Sequence, residues 1–254
     1  MSSKKNIRIV ARIDIKNNFV IKGIQLEGLR KVGDPLIIAK KYYEEGVDEI
    51  IFMDAVASLY ERNNIYSIID NAAKHVFVPI TIGGGIRKLA DIEKALNSGA
   101  DKIAVNTQAI KTPNFINEAS RIYGSQAIIG SIEAKKKSYS WEAYIDNGRE
   151  ETGIEVVSWA KELESRGAGE ILITSIDKDG TKTGFDEELI QIVSSSVSIP
   201  VISSGGAGNP NNIISLCNKT ETSAIAIASI LHYKDYSIKH IKESMIKSDL
   251  NVRK

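Results

Sequence analysis

The stretches Val78-Pro79-Ile80-Thr81-Ile82-Gly83-Gly84-Gly85 and Ile199-Pro200-Val201-Ile202-Ser203-Ser204-Gly205-Gly206 share one pattern. Each is a short run rich in β-branched residues that ends in a glycine loop, and Gly84 and Gly205 lie 121 positions apart. Val-Asp-Glu-Ile-Ile at 47–51 and Ala-Gly-Glu-Ile-Leu at 168–172 repeat at the same spacing. Similarity at a fixed spacing indicates repeated structural units. We therefore predict two related halves, residues 1–123 and 124–254.

Strand and helix patterns alternate along the whole chain. Eight short runs read as strands, near residues 7–13, 49–53, 78–82, 102–105, 127–132, 170–174, 199–203 and 223–228. Amphipathic stretches of helical length separate them, which implies a parallel sheet with crossover helices. Eight units in about 250 residues predict a single (β/α)8 TIM barrel made of two half-barrels. A doubly wound open sheet is the alternative, and segments 16–34 and 135–152 are predicted to be irregular.

The composition excludes several classes of protein. The 254 residues are 43% hydrophobic and carry a formal net charge of +1, unlike a disordered chain or a strongly basic nucleic-acid binder. No apolar run approaches the roughly 18–20 residues that a membrane span needs. One cysteine, Cys217, forms neither an internal disulfide nor a four-cysteine zinc site. We expect a cytoplasmic protein without metal or cofactor that binds neither nucleic acid nor membrane.

Two pairs of loops at predicted strand ends are candidate phosphate sites. Glycine lets backbone N–H groups approach a phosphate, and a helix N-terminus beyond it adds a favourable dipole. Two copies at equivalent places are stronger evidence than one, since glycines also make tight turns. They predict a ligand with a phosphate at each end, on opposite sides of the barrel mouth. The candidate residues are Gly84, Gly85, Asn106 and Thr107 in the first half, and Ser204, Gly205, Gly206 and Ser229 in the second.

Two carboxylates are related by the same repeat. Asp14 and Glu133 lie 119 positions apart, at the predicted ends of strands 1 and 5. In such barrels the active site lies at the carboxyl ends of the strands. Opposed carboxylates suit general acid and base work on a ligand held at both ends, although an Asp at a strand end often only caps the next helix. We predict catalysis for the pair.

Four charged residues open predicted strands at the opposite end of the barrel. Arg8 lies on the same strand face as Asp14, because side chains alternate with a period of two. If Asp14 faces the barrel axis, Arg8 does too, and a ring of two cations and two anions would close the floor. Its members are Arg8, Glu49, Lys102 and Glu170.

Motifs along nearly the whole chain resemble those of one family, the cyclase subunits of imidazole glycerol phosphate synthase, which are histidine-pathway (β/α)8 barrels. The matching stretches include Asp14-Ile15-Lys16, Val20-Ile21-Lys22-Gly23, Val32-Gly33-Asp34-Pro35, Ile82-Gly83-Gly84-Gly85-Ile86, Gly99-Ala100-Asp101-Lys102, Asn106-Thr107, Thr174-Ser175-Ile176-Asp177, Asp179-Gly180-Thr181 and Ser204-Gly205-Gly206-Ala207-Gly208. Taken together these motifs are highly specific.

The resemblance implies a reaction and a partner. A glutaminase subunit would release ammonia at the barrel floor, and the charged ring would gate its passage along the axis. Ammonia would attack a bis-phosphorylated ribulosyl-formimino carboxamide ribotide, and the products would be imidazole glycerol phosphate and aminoimidazole carboxamide ribotide. Asp14 would be the main acid or base. Lys22 would lie on a loop that closes over the substrate, Asp179 and Gly180 would bind one end of it, and Asp101 and Gln126 would contact the glutaminase.

Two positions depart from the family pattern. The second catalytic acid is usually Asp, and here it is Glu133; the residue two before Asp14 is usually a small one, and here it is Arg12. A buried Arg needs partners, and we expect Asp14 and Glu133. These departures leave two alternatives open. One is a paralogous barrel that supplies ammonia, beside a glutaminase and a sugar amidotransferase, for acetamidino-sugar synthesis in surface polysaccharides. The other is a non-catalytic scaffold that activates the glutaminase.

Overall fold

A computed structural model describes residues 6–55 and 65–253 of the chain. Its strands are β1 Asn6–Lys16, β2 Phe19–Ile24, β3 Glu27–Gly33, β4 Glu49–Asp54, β5 Ile80–Gly83, β6 Lys102–Val105, β7 Ile128–Lys137, β8 Ser140–Ile145, β9 Glu150–Glu155, β10 Glu170–Ser175, β11 Val201–Ser204, β12 Ala224–Ile227 and β13 Asn251–Val252. Its α-helices are α1 Pro35–Glu44, α2 Ile65–Ala73, α3 Leu89–Asn97, α4 Thr107–Lys111, α5 Asn114–Tyr123, α6 Val156–Ser165, α7 Glu187–Ser196, α8 Pro210–Lys219, α9 Ser229–His232 and α10 Ile238–Lys247.

Eight parallel strands close into a barrel. The order is β10-β11-β12-β1-β4-β5-β6-β7, and β7 pairs with β10 to complete the ring. Each strand is followed by at least one helix on the outside. The predicted (β/α)8 barrel is therefore confirmed, and the open sheet is excluded. None of the helices in the described ranges is long and apolar enough to cross a membrane.

Side-chain alternation along the strands divides the core into two layers. Ile9, Ile13 and Ile50 point outward and pack with the helices, whereas Val10 and Ile51 point to the axis and pack with apolar residues of the other strands. All five side chains are fully buried. Burial of both faces explains why these strands read as continuous apolar runs.

The two segments predicted to be irregular are β-hairpins, so that prediction was wrong. β1 continues past the barrel rim and pairs with β2, which pairs with β3; β7 continues in the same way into β8 and β9. The outer strands β3 and β9 are mostly exposed and polar, so they lack the apolar alternation that marks a strand in sequence. Equivalent elements recur at one spacing: β2 and β8 begin 121 positions apart, as do α1 and α6.

The predicted strands at 78–82 and 199–203 begin two residues too early. Pro79 and Pro200 lack the N–H group that a central strand needs, so the ladders start at Ile80 and Val201. Both proline carbonyls still accept hydrogen bonds, from the N–H groups of Ile50 and Ile171. The amphipathic pattern over residues 64–75 also predicts a helix, and its first residue lies outside the described ranges.

One buried ion pair ties the last long helix to the barrel. Lys242 on α10 donates to Asp48 Oδ1 at 2.7 Å and to the carbonyl of Gly46 at 2.7 Å. The other oxygen of Asp48 accepts from the N–H of Ile9 at 2.7 Å. Removing one partner of such a pair leaves an uncompensated charge in the interior.

We predict that Lys242→Met destabilises the fold by about 3–5 kcal/mol, the usual cost of breaking a buried pair. Urea denaturation followed by circular dichroism measures the change. Lys239→Met is the matched control, because Lys239 is exposed on the same helix. Equal unfolding midpoints for the two variants would show that the pair does not stabilise the fold.

Candidate active site

The mouth of the barrel holds both predicted catalytic carboxylates. Asp14 and Glu133 face the interior from β1 and β7, and both are buried. Neither residue ends its strand, contrary to the prediction, because both strands run on into the hairpins. The β2–β3 and β8–β9 hairpins therefore extend the barrel beyond the two carboxylates.

Asp14 lies between two cations. Its Oδ1 accepts from Arg12 Nε at 2.8 Å, and its Oδ2 lies 3.4 Å from Lys22 Nζ. Burial alone would raise the pKa of Asp14, but the charges of Arg12 and Lys22 outweigh burial and lower it to about 2. Asp14 is consequently ionised throughout the physiological pH range.

Arg12 reaches across the barrel from β1. Its Nη1 donates to Thr174 Oγ1 at 2.9 Å and to Ser204 Oγ at 3.3 Å, and its side chain is 3% exposed. Burial disfavours the guanidinium cation, yet Asp14 and then Asp179 raise the pKa of Arg12 above its ordinary value. The prediction that Asp14 pairs with Arg12 is confirmed. Glu133 contributes charge but no hydrogen bond to Arg12, so that part of the prediction was wrong.

Glu133 has different surroundings. Its Oε2 accepts from the backbone N–H of Gly148, in the β8–β9 turn, at 2.8 Å. Burial, followed by the nearby charges of Asp14 and Asp179, outweighs Arg12 and this hydrogen bond and raises the pKa of Glu133 to about 7. The two related carboxylates therefore hold protons in very different pH ranges.

Lys22 lies in strand β2 rather than on an open loop. Its Nζ contacts both carboxylate oxygens of Asp179, at 2.9 and 2.7 Å. The backbone N–H of Gln25 also donates to the Asp179 carbonyl at 2.7 Å. Gly180 packs so closely on this hairpin that a Cβ atom would lie 2.2 Å from the Gly23 carbonyl oxygen. The β2–β3 hairpin is thus docked on the second half of the mouth.

The two glycine loops are built alike. Gly84 (φ +87°) and Gly205 (φ +96°) adopt conformations that favour glycine. A Cβ atom at Gly84 would lie 2.3 Å from the carbonyl oxygen of Asp54, which ends the preceding barrel strand. One at Gly205 would lie 2.7 Å from the carbonyl oxygen of Ser175, which is in the equivalent place. Both loops therefore require close approach of backbone to backbone.

Each glycine loop borders a cavity, but the two cavities differ in size. The first measures about 190 Å³ and is lined by Gly84, Gly85, Asn106, Thr107, Arg12 and Glu133, among others. The second measures about 20 Å³ and is lined by Asp179, Gly180, Ser204, Gly205, Gly206 and Ser229, among others. The structure thus brings the predicted loop residues of each half together, and the docked hairpin contacts the second half at Asp179 and Gly180.

Several residues of the first cavity were not predicted from the sequence. Arg87 and Lys111 also line it, together with Asp146 and Asn147 from the second hairpin. Arg87 and Lys111 could have been predicted from the sequence, because each is a basic residue that shortly follows one of the motifs Gly-Gly-Gly and Asn-Thr. The two hairpin residues could not have been predicted, because their position at the cavity depends on how β7 extends past the barrel rim.

The predicted ring at the floor is closed by four ion pairs. Arg8 contacts Glu49 and also Glu170, the latter at 3.2 Å; Lys102 contacts Glu49 at 3.2 Å and Glu170 at 2.8 Å. Asp101 and Gln126, the predicted partner contacts, are exposed and lie close to this end of the barrel. Asp101 Oδ2 accepts from the N–H of Ile80 at 2.8 Å.

A buried histidine lies behind β1. His232 Nδ1 is 2.7 Å from the hydroxyl of Tyr42, and burial lowers the pKa of His232 to about 4. It is therefore neutral near pH 7 and belongs to the packing of α9 against α1. Within residues 6–55 and 65–253, no group of three or more His, Cys, Asp or Glu residues is arranged to hold a metal ion.

Fold and mouth together define a (β/α)8 barrel enzyme whose carboxylates lie between two glycine loops at the carboxyl ends of the strands. Comparison with known proteins makes this more specific. Residues 8–237 match the model of a family described as "Histidine biosynthesis protein", and the chain belongs to that family.

Several relatives share one name, imidazole glycerol phosphate synthase subunit HisF. The protein of Lactococcus lactis subsp. cremoris (strain MG1363) is 46% identical over 97% of this chain and 96% of its own length. That of Legionella pneumophila is 56% identical over 80% of this chain and 96% of its own length, and that of Dehalococcoides mccartyi is 42% identical over 98% of both. These similarities support the cyclase subunit and do not favour the polysaccharide alternative.

We predict that Glu133→Gln changes stability in a pH-dependent way. The folded protein holds the Glu133 proton up to about pH 7, whereas a glutamate in the unfolded chain ionises near its ordinary pKa of 4.5. Unfolding therefore becomes more favourable as pH rises through this window, and the full penalty applies above it. Glutamine removes the penalty, so the variant gains roughly 3 kcal/mol at pH 8 and little below pH 4.5.

Thermal unfolding at pH 4.5 and pH 8 tests this prediction. Glu150→Gln is the control, since Glu150 is exposed on the adjacent hairpin. A Glu133→Gln minus wild-type difference that does not grow with pH would show that Glu133 ionises normally.

Proposed function

We propose that the chain is the ammonia-dependent cyclase of an imidazole glycerol phosphate synthase. Its substrate is the bis-phosphorylated ribulosyl-formimino carboxamide ribotide, and its products are imidazole glycerol phosphate and aminoimidazole carboxamide ribotide. The observation that carries this proposal is the pair of equivalent glycine loops on either side of a mouth that contains Asp14 and Glu133. The names of the relatives agree with it.

Each part of the mouth has a place in this reaction. The backbone of Gly84 and Gly85, with the N-terminus of α4 at Asn106 and Thr107, binds one phosphate. Gly205 and Gly206, with the start of α9 at Ser229, bind the other. Gly180 and the Lys22–Asp179 pair border the second site, so the β2–β3 hairpin moves when a ligand enters there. Water is then excluded as the hairpin closes again.

A glutaminase subunit supplies the ammonia in this proposal. The exposed residues Asp101 and Gln126 lie on the face that it covers, and the ring of Arg8, Glu49, Lys102 and Glu170 lies between that face and the axis. Above the ring, the axis is lined by apolar side chains such as Val10 and Leu172. Neutral ammonia crosses an apolar layer at lower cost than ammonium, because burial disfavours a charged group. A cytoplasmic location stays a prediction from the sequence.

We predict turnover of the ribotide by the purified chain with excess ammonium salt at alkaline pH. Steady-state assays of both products measure it. Ribotide that lacks either terminal phosphate should show at least about a tenfold loss in kcat/KM, because each lost charge-assisted contact is worth roughly 1.5 kcal/mol or more. Absence of turnover by a folded chain, with and without a glutaminase, would contradict the proposal.

We also predict that Lys102→Met uncouples the two subunits. Among the described residues, the change leaves Arg8 as the one ion-pair partner of Glu49 and Glu170, and so opens or distorts the ring. Glutamine-dependent turnover should fall at least several-fold while turnover with external ammonia is retained. Lys161→Met, at an exposed position on α6, is the control. Parallel loss of both activities, or of neither, would remove the ring from ammonia transfer.

A further inference from the structure

Arg12 lies where the two cavities of the mouth meet. It lines the first cavity, and its Nη1 donates a hydrogen bond at 3.3 Å to Ser204, which lines the second cavity. A ligand that places one phosphate beside each glycine loop therefore passes across the Arg12–Ser204 contact. The middle of such a ligand meets the guanidinium.

The guanidinium of Arg12 keeps part of its donor capacity for a ligand. Its Nε donates to Asp14, and its Nη1 donates to Thr174 and Ser204. In the part of the chain that the structure describes, Nη2 has no acceptor. Because the group is planar and held at its other two nitrogens, the N–H groups of Nη2 keep a fixed direction. Buried donors without an acceptor cost free energy, so a ligand that supplies an oxygen at Nη2 gains affinity.

The depth of Arg12 in the barrel indicates which oxygen of the ligand it meets. Side chains alternate along β1, so Arg12 lies one step below Asp14 on the inner face. Gly84 and Gly205 follow the ends of β5 and β11 and lie at the rim. Phosphates that bind to the glycine loops therefore leave the deeper part of the mouth to the middle of the ligand. The oxygen at Nη2 belongs to that middle part rather than to a phosphate.

Ammonia from the axis would arrive at the same place. Val10, one step below Arg12 on β1, belongs to the apolar layer around the axis. Ala104 belongs to this layer and also lines the first cavity, as does Met53, which packs against the layer. The first cavity therefore extends down to the axial layer. A carbonyl carbon placed there is within reach of ammonia, with Arg12 beside its oxygen.

We propose that Arg12 is a catalytic residue of the cyclase reaction, and that its Nη2 donates hydrogen bonds to the carbonyl oxygen that ammonia attacks. The proposal rests on the cyclase function. Attack forms a C–N bond and moves the π electron pair of the C=O bond onto oxygen. A proton leaves the nitrogen for a carboxylate of the mouth and then passes to the oxygen, which gives a neutral carbinolamine. Arg12 transfers no proton; it stabilises the negative oxygen more than the neutral carbonyl and so lowers the barrier.

This role leaves proton transfer to the two carboxylates. Arg12 contacts Asp14 at Oδ1, whereas Oδ2 lies 3.4 Å from Lys22 Nζ, on the hairpin that moves when a ligand enters. Glu133 lines the first cavity together with Arg12. A carbonyl group at Nη2 therefore has both acid and base groups beside it.

Steady-state kinetics of Arg12→Lys, with the ribotide and external ammonium salt, test the direct contact. Lysine keeps a cation beside Asp14 but lacks the Nη2 donors. kcat should fall about 100-fold, the usual cost of removing an oxyanion donor. KM should rise no more than about tenfold, because the hydrogen bond to the neutral carbonyl is the weaker one. Turnover by Arg12→Lys within a few-fold of wild type would overturn the proposal.

Two further variants complete the kinetic test. Arg121→Lys, at an exposed position on α5, is the matched control and should keep wild-type kinetics. Arg12→Gln, which is shorter and uncharged, should lose at least as much kcat as Arg12→Lys. Circular dichroism checks that each variant is folded.

Calorimetric titration without ammonia gives a readout that does not depend on turnover. The probes are the ribotide and an analogue with a methylene in place of its ribulosyl ketone. Wild type should bind the ribotide about tenfold more tightly than the analogue, as expected for a hydrogen bond from a charged donor, and Arg12→Lys should bind the two alike. Equal discrimination by wild type and Arg12→Lys would overturn the direct contact, and any loss of kcat would then come from the pairing with Asp14. If discrimination depends on Arg12 but no ribotide turns over, the cyclase function fails instead.

Discussion

The arrangement of the mouth depends on one constraint: a charge inside a closed barrel must be paired. Arg12 is buried halfway along the axis, where an isolated guanidinium would cost many kcal/mol. Asp14 supplies the counter-charge, and the hydroxyls of Thr174 and Ser204 take the remaining Nη1 bonds. Once Arg12 and Asp14 are joined, Lys22 can turn to Asp179, which fixes the hairpin over the second half. The Arg12 side chain therefore affects the position of the β2–β3 hairpin as well as the charge of Asp14.

The same constraint breaks the symmetry of the two halves. Backbone elements, glycine loops and hairpins repeat at nearly constant spacing. Arg12 lies on β1 in the first half. It donates hydrogen bonds to hydroxyl groups of the second half, on β10 and β11. The first cavity stays open and the second is nearly filled. The position in the second half that is equivalent to Arg12 is Ser131, which carries no charge. The related loops and carboxylates of the two halves therefore have different surroundings.

The barrel and its floor could be predicted from sequence because their signals are local. β-Branched runs of four to eight residues mark the strands, and the period-two alternation that places Arg8 and Asp14 on one face needs no knowledge of the rest of the fold. The hairpins could not be predicted in this way, because strands such as β3 and β9 pack few apolar residues. Their pairing comes from the extension of β1 and β7.

The surroundings of the carboxylates could not be predicted from the sequence either. Thr174 and Ser204 are 162 and 192 positions from Arg12 and contact it only once the barrel has closed. Glu133 was expected to pair with Arg12. Its hydrogen bond comes instead from the backbone N–H of Gly148, in the β8–β9 turn.

A crystal structure of the chain with the bis-phosphorylated ribotide is the most direct test of the proposed site. We expect one ligand with a phosphate on the Gly84–Gly85 backbone and the other on the Gly205–Gly206 backbone. Its reacting centre should lie beside Asp14 and Glu133, and the β2–β3 hairpin should have moved from its present contact at Asp179. A ligand confined to the first cavity, with the hairpin still docked and no phosphate at the second loop, would contradict this arrangement.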